Sequence, residues 1–161
     1  MLINKVKSLI TEMDSFYFSV SLSKATAMKL NNLIKKYNVP NPVKKESFHI
    51  SLFTTPNKIK IPKGIYDIKF DINDMENFTI MTWYSNKKEN PDKRLMVLEF
   101  SSYELNKFRN HLINTLQIPV MPLINKFHIT LSYNIGSKKS YPITKDLINP
   151  FPIEISSLKI C

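Results

Sequence analysis

Apolar and polar positions divide this chain into short runs with recognisable periods. Residues 15–22 (SFYFSVSL) predict a strand from their aromatic and β-branched content. Over 23–38, Met28, Leu30, Leu33 and Ile34 line one helical face, and Ser23 stands where an N-cap belongs. Asn38-Val39-Pro40-Asn41-Pro42 ends that helix. Residues 47–53 read as a strand, followed by a loop holding Pro56 and Pro62. Two further strands fit 65–72 and 77–84, with Asn73-Asp74 in the turn between them. The polar stretch 85–93 (SNKKENPDK) predicts an exposed loop, and 94–100 another strand. Ser101, with Glu104 three residues later, has the spacing of a capping box opening a helix over about 102–116. Strands over 127–133 and 153–160 complete an α+β pattern.

Two of these strands repeat each other. Phe48-His49-Ile50-Ser51-Leu52 matches Phe127-His128-Ile129-Thr130-Leu131, and these segments hold two of the three histidines in the chain. Strand alternation puts each imidazole and the hydroxyl two residues on along one face, with Phe, Ile and Leu on the other. The flanks repeat too. Each unit runs strand, helix, Pro-containing loop, His strand, and Pro40 and Pro119 each precede their histidine by nine residues. This order predicts an internal duplication within one domain spanning 1–161. The halves are roughly 15–60 with 153–160, and 65–135, related by a pseudo-twofold about a shared cleft.

Composition narrows the chemistry. A length of 161 residues suits one domain with a sizeable core. With two glycines, neither a Rossmann fingerprint nor a P-loop can be built. The single cysteine, Cys161, excludes a disulfide framework or thiolate metal cluster within one chain. The first residues carry no long apolar stretch, and no apolar run approaches a membrane span, so a cytoplasmic protein without membrane association is expected. The formal net charge of +10 attracts polyanions. Its lysines fall in short groups (Lys44-Lys45, Lys58 and Lys60, Lys87-Lys88, Lys138-Lys139), which favours a small anionic ligand or short single strand over a long duplex.

His49 and His128 are candidate proton-transfer groups, because imidazole titrates near neutrality, at about 6.5. Ser51 and Thr130 are candidate donors to phosphate oxygens. A metal site is not expected, since neither motif offers an Asp, Glu or Cys as third ligand. His111 has neither a hydroxyl partner nor a repeat equivalent and reads as a surface or packing residue. By simple parity Tyr133 faces away from His128 and Thr130, and Lys138-Lys139 belong to a solvated loop.

Paired His-x-Ser/Thr motifs in a duplicated α+β domain resemble the 2H phosphoesterase superfamily over nearly the whole chain. Val39-Pro40-Asn41-Pro42-Val43 and His128-Ile129-Thr130-Leu131-Ser132-Tyr133 are similar to strings of the phage anti-CBASS nuclease family. Ser51 replaces the commoner Thr and keeps the hydroxyl. The resemblance implies a bilobed fold, two antiparallel sheets around a central cleft with helices packed outside. It implies a metal-independent enzyme, with no cofactor and no obligate protein partner, that cleaves 3′–5′ bonds of cyclic di- or oligonucleotide messengers in the host cytoplasm and so counters antiviral signalling. One histidine would activate a ribose 2′-hydroxyl and the other protonate the leaving 5′-oxygen. It also makes Tyr17 a base-stacking residue, and Trp83, at the end of a strand, could reach the same pocket. Other 2H substrates stay open: 2′–5′ oligoadenylate, a terminal 2′,3′-cyclic phosphate or an RNA 3′ end. A non-catalytic nucleotide- or RNA-binding module is the alternative of another class, though a binder has no need of two proton-transfer groups.

Overall fold

The computed structural model describes residues 16–55, 61–86, 88–120, 122–137, 141–143, 146 and 152–161. The elements run β1 (Phe16–Leu22), α1 (Lys24–Lys36), a 3-10 turn (Lys45–Ser47), β2 (His49–Thr55), β3 (Gly64–Ile72), β4 (Glu76–Asn86), β5 (Asn90–Ser101), α2 (Tyr103–Thr115), β6 (Phe127–Ser132) and β7 (Ile153–Ile160). Pro56, Lys58, Lys60, Lys87 and Lys138-Lys139 lie outside the described residues.

The two helices begin and end alike. Ser23 caps α1 by accepting from Thr26 N at 3.1 Å, and Ser102 caps α2 by accepting from Leu105 N at 3.0 Å. Such a cap is worth about 1 kcal/mol. Each helix closes on a residue in the left-handed region, Asn38 (φ 51°) or Gln117 (φ 51°). The next amide then reaches back, Val39 N to Ile34 O at 3.2 Å and Ile118 N to Ile113 O at 3.0 Å. This is the Schellman closure, and the buried Val39 and Ile118 seal it. Pro40 and Pro119 follow directly, so both copies stop for one reason.

The predicted capping box of Ser101 and Glu104 does not form. Ser102 is the N-cap, and Glu104 Oε2 instead accepts from Asn73 N at 3.1 Å. Asp74 completes the terminus, accepting from Ser102 Oγ at 2.6 Å and from Glu104 N at 2.9 Å. A carboxylate there offsets the positive end of the helix dipole. The polar 85–93 stretch is mostly strand: Asn86 pairs with Asn90, making β4 and β5 a tight hairpin.

The strands form one antiparallel sheet in the order β3-β7-β1-β2-β6-β5-β4. The two sheets expected from the sequence are thus continuous through hydrogen bonding. Their seam is narrow: β2 and β6 pair at Ile50↔Ile129, both fully buried. The segment 65–72, grouped in the sequence with the second half, pairs with β7 on the first half's flank. β3 and β4 therefore occupy opposite edges yet are joined by three residues, 73–75. Six interstrand steps of about 4.8 Å would set the edges of a flat sheet roughly 29 Å apart. The link can reach only roughly 14 Å. The sheet must curl to bring these ends together.

One face of the sheet carries the core. Phe18, Val20, Ile50, Met96, Leu98, Phe100, Phe127 and Ile129 are all at most 2% exposed and pack with Leu30 and Ile34 of α1 and Leu105 of α2. Full burial of each such side chain contributes about 1.5–3 kcal/mol. The other face carries most of the polar residues, with the buried Val97 among them.

Candidate active site

The strand registers gather the candidate residues into two rows on the polar face. Around the Ile50↔Ile129 pair, antiparallel alternation sets Ser51 beside His128 and His49 beside Thr130. Ser19 lies opposite Ser51 and Glu99 opposite His128, giving one row: Ser19, Ser51, His128, Glu99. The second row is Ser21, His49, Thr130, Val97. The two histidines are diagonal neighbours, a relation that spans about 7–8 Å in an antiparallel pair.

A β-bulge follows the hydroxyl in both His strands, at matching positions. Ser19 pairs with Ser51 but Phe18 with Phe53, leaving Leu52 as the extra residue. Val97 pairs with Thr130 but Met96 with Ser132, leaving Leu131. A bulge resets the alternation. Phe53 turns to the core, where its ring stacks on Phe18 at 4.4 Å. Ser132 becomes fully buried, and Tyr133 swings to the histidine side, half exposed and lining the cavity at His49. Parity placed Tyr133 facing away; the bulge reverses that.

The half-sites differ in what surrounds each imidazole. His49 Nδ1 lies 2.9 Å from the Ser47 carbonyl. A carbonyl only accepts, so Nδ1 carries the hydrogen and Nε2 is left for substrate. Tyr17 meets the His49 ring edge-on at 6.4 Å between centroids, and its hydroxyl shares a hydrogen bond with Ser51 Oγ. Trp83 reaches across β5 so that its ring lies 4.5 Å from that of His128, tilted by 59°. Burial holds His128 below the usual histidine value, the charge of His49 adds to this, and Glu99 opposes both. Glu99, 12% exposed in its side chain, is held 3.0 Å from Lys126 Nζ.

All six residues singled out in the sequence (Tyr17, His49, Ser51, Trp83, His128 and Thr130) come together on this face. Glu99 and Lys126 escaped sequence reasoning. A lone carboxylate at the 95/97/99 parity of an otherwise apolar strand was the available signal. His111 is exposed on α2, away from the polar face. Among the described residues, no group of three or more His, Cys, Asp or Glu side chains could hold a metal ion, and no helix is long and apolar enough to cross a membrane.

The segment 39–43 docks against the end of β6. Pro42 bridges to Ser132, and Val43 N donates to Leu131 O at 3.0 Å. Ser132 Oγ lies 2.6 Å from Pro40 O and accepts from Asn134 N at 3.2 Å. Asn41, at φ 48°, sends Nδ2 to Asn134 O at 2.9 Å. The loop ahead of the first histidine is therefore built onto the residues just past the second. A cavity of about 260 Å³ opens beside His49, lined by Tyr17, Ser19, Ser21, Tyr133 and Lys159 among others. The largest cavity described, about 640 Å³, lies over the start of α1 beside Ser21 and does not include the histidines.

Two solved structures are similar to this chain. A phosphoesterase aligns at 11% identity and a TM-score of 0.49, covering 91% of this chain and 86% of its own. LigT of E. coli, complexed with 3′-AMP, aligns at 12% identity and a TM-score of 0.47, with the same coverage of 91% and 86%. The sequence model of the family described as "Anti-CBASS protein Acb1" matches residues 14–157. That match takes in both His-x-Ser/Thr strands and nearly the whole chain, and the chain therefore belongs to the anti-CBASS Acb1 family.

Proposed function

We propose that this protein is a phosphodiesterase that cleaves 3′–5′ bonds of cyclic oligonucleotide messengers, removing the signal on which a host antiviral response depends. The observation that carries the reading is the diagonal pair of imidazoles on one face, each beside the other strand's hydroxyl. His128, whose pKa burial and the charge of His49 lower against the pull of Glu99, is the general base. It takes the proton of a ribose 2′-hydroxyl, whose oxygen bonds to phosphorus as the P–O5′ bond breaks. His49, its Nδ1 engaged by Ser47, delivers a proton from Nε2 to the departing O5′. The products are a 2′,3′-cyclic phosphate and a 5′-hydroxyl. Each proton transfer contributes roughly 10²- to 10⁴-fold.

Ser51 and Thr130 donate to the non-bridging oxygens, where charge accumulates. The Tyr17 and Ser51 hydroxyls share a hydrogen bond, and in this reading Tyr17 O–H donates, which leaves the Ser51 hydrogen for phosphate. Tyr17 thus acts through its hydroxyl as well as offering a ring edge to a base. Trp83 walls the His128 side and stacks on the neighbouring base.

The test is cleavage in excess EDTA of 3′,3′-cyclic GMP–AMP, 2′–5′ oligoadenylate and a short linear RNA. The His49→Ala/His128→Ala double variant runs in parallel. Cleavage of the cyclic dinucleotide that disappears in the variant is the expected result. Cleavage of a linear substrate alone would move the reading to another 2H substrate, and turnover by the double variant would overturn the mechanism.

A further inference from the structure

A separate cavity of about 610 Å³ shares Tyr133 with the His49 pocket. Its lining includes Lys44, Ser47, Lys93, Tyr133 and Asn134. Ser47 and Tyr133 line both cavities, so the two adjoin. No acidic side chain lines this one. The other three cavities described each include a carboxylate, Glu46 in two of them and Asp71 with Glu154 in the third. Among the described residues, neither Lys44 nor Lys93 has an ion-pair partner.

The lysines come from different halves of the chain, and each is anchored to the catalytic scaffold. Lys44 O accepts from Ser47 N at 2.8 Å, closing the turn whose last carbonyl holds His49. Next to Lys93, Arg94 O accepts from Ile135 N at 2.9 Å, which ties β5 to the turn after Tyr133. Asn134 Oδ1 is taken by Gly136 N at 2.9 Å, so the Asn134 side chain offers its amide hydrogens. The lining residues therefore include two cationic side chains, Lys44 and Lys93, and an amide whose oxygen is already engaged. That set suits a second anion on the same ligand that places one phosphate between the histidines.

We propose that this cavity is a second phosphate subsite, in which Lys44 and Lys93 hold a phosphodiester of the substrate that is not being cut. The inference rests on the reading that a phosphodiester occupies the histidine pair. A substrate with two phosphates uses both places; one with a single phosphate uses only the first.

The experiment measures binding by titration calorimetry in the His128→Ala background, so that no ligand is consumed. The probes are 3′,3′-cyclic di-AMP, with two phosphates, and the linear dinucleotide ApA, with one. Adding Lys44→Ala/Lys93→Ala is expected to raise the Kd for the cyclic ligand by about tenfold or more. For ApA the change should stay within about twofold, since exposed charges at a distance are screened. Lys44→Arg/Lys93→Arg should keep the cyclic affinity, because the charge remains. Equal losses for both ligands, no loss for either, or no cyclic di-AMP binding by the parent would overturn the subsite. If cleavage fails while the lysine-dependent difference persists, the subsite stands and the proposed activity falls. If cleavage succeeds and the difference is missing, the subsite alone falls.

Discussion

His49 and His128 occupy equivalent positions in the repeat yet sit in unlike surroundings. The ring of His128 packs against Trp83 and has Glu99 opposite in register; the position opposite His49 holds Ser21. Burial and the charge of His49 lower the His128 value, whereas Glu99 raises it. A base must be neutral, so activity falls as pH drops through its pKa. The acidic limb of kcat/KM should thus have its midpoint below about 6.5. Glu99→Gln removes the raising influence and should move that limb to still lower pH; no movement, or movement upward, would sink the assignment of His128 as base. Both histidines and both hydroxyls were legible because strand parity over three residues is a local property. Tyr133 was misplaced because the bulge at Leu131 lies between it and Thr130, and a bulge is set by the partner strand.

At the scale of elements, the docking of 39–43 onto 132–134 explains why Pro-rich loop and second motif matter together. The Ser132 hydroxyl serves Pro40 O and Asn134 N while fully buried. Ser132→Ala leaves these groups short of a partner, and a loss of about 1–2 kcal/mol is expected. Urea unfolding measures the loss. Since the same loop leads into the Ser47 turn that holds His49, kcat should fall as well; an unchanged kcat would show the docking to be structural only. The helices, their polar starts and their Pro-marked ends could be read directly. The exact cap of α2 could not, because Asp74 and Asn73 arrive at that terminus from the link between β3 and β4. The polar 85–93 segment looked like a loop because hairpin ends are solvated on both sides, so their composition does not separate strand from turn.

Across the whole molecule, among the described residues, one core cluster spans both halves while the two His strands pair only at Ile50↔Ile129. A shared core makes the halves fold together. Guanidinium unfolding followed by the fluorescence of Trp83, the single tryptophan, should coincide with the loss of helix seen by circular dichroism. Two separated transitions would mean that the seam, and not the core, sets cooperativity. The repeat, the period of most elements, the candidate acid–base side chains and the Pro-marked helix ends follow from residues within a few positions of one another, and are legible in the chain alone. Which strands share an edge, where the bulges fall, how the two sheets become one, and the placing of Glu99, Tyr133 and the paired lysines all depend on pairing between segments tens of residues apart. Hydrogen-bond register and sheet curvature are properties of two strands together, so only the folded chain decides them.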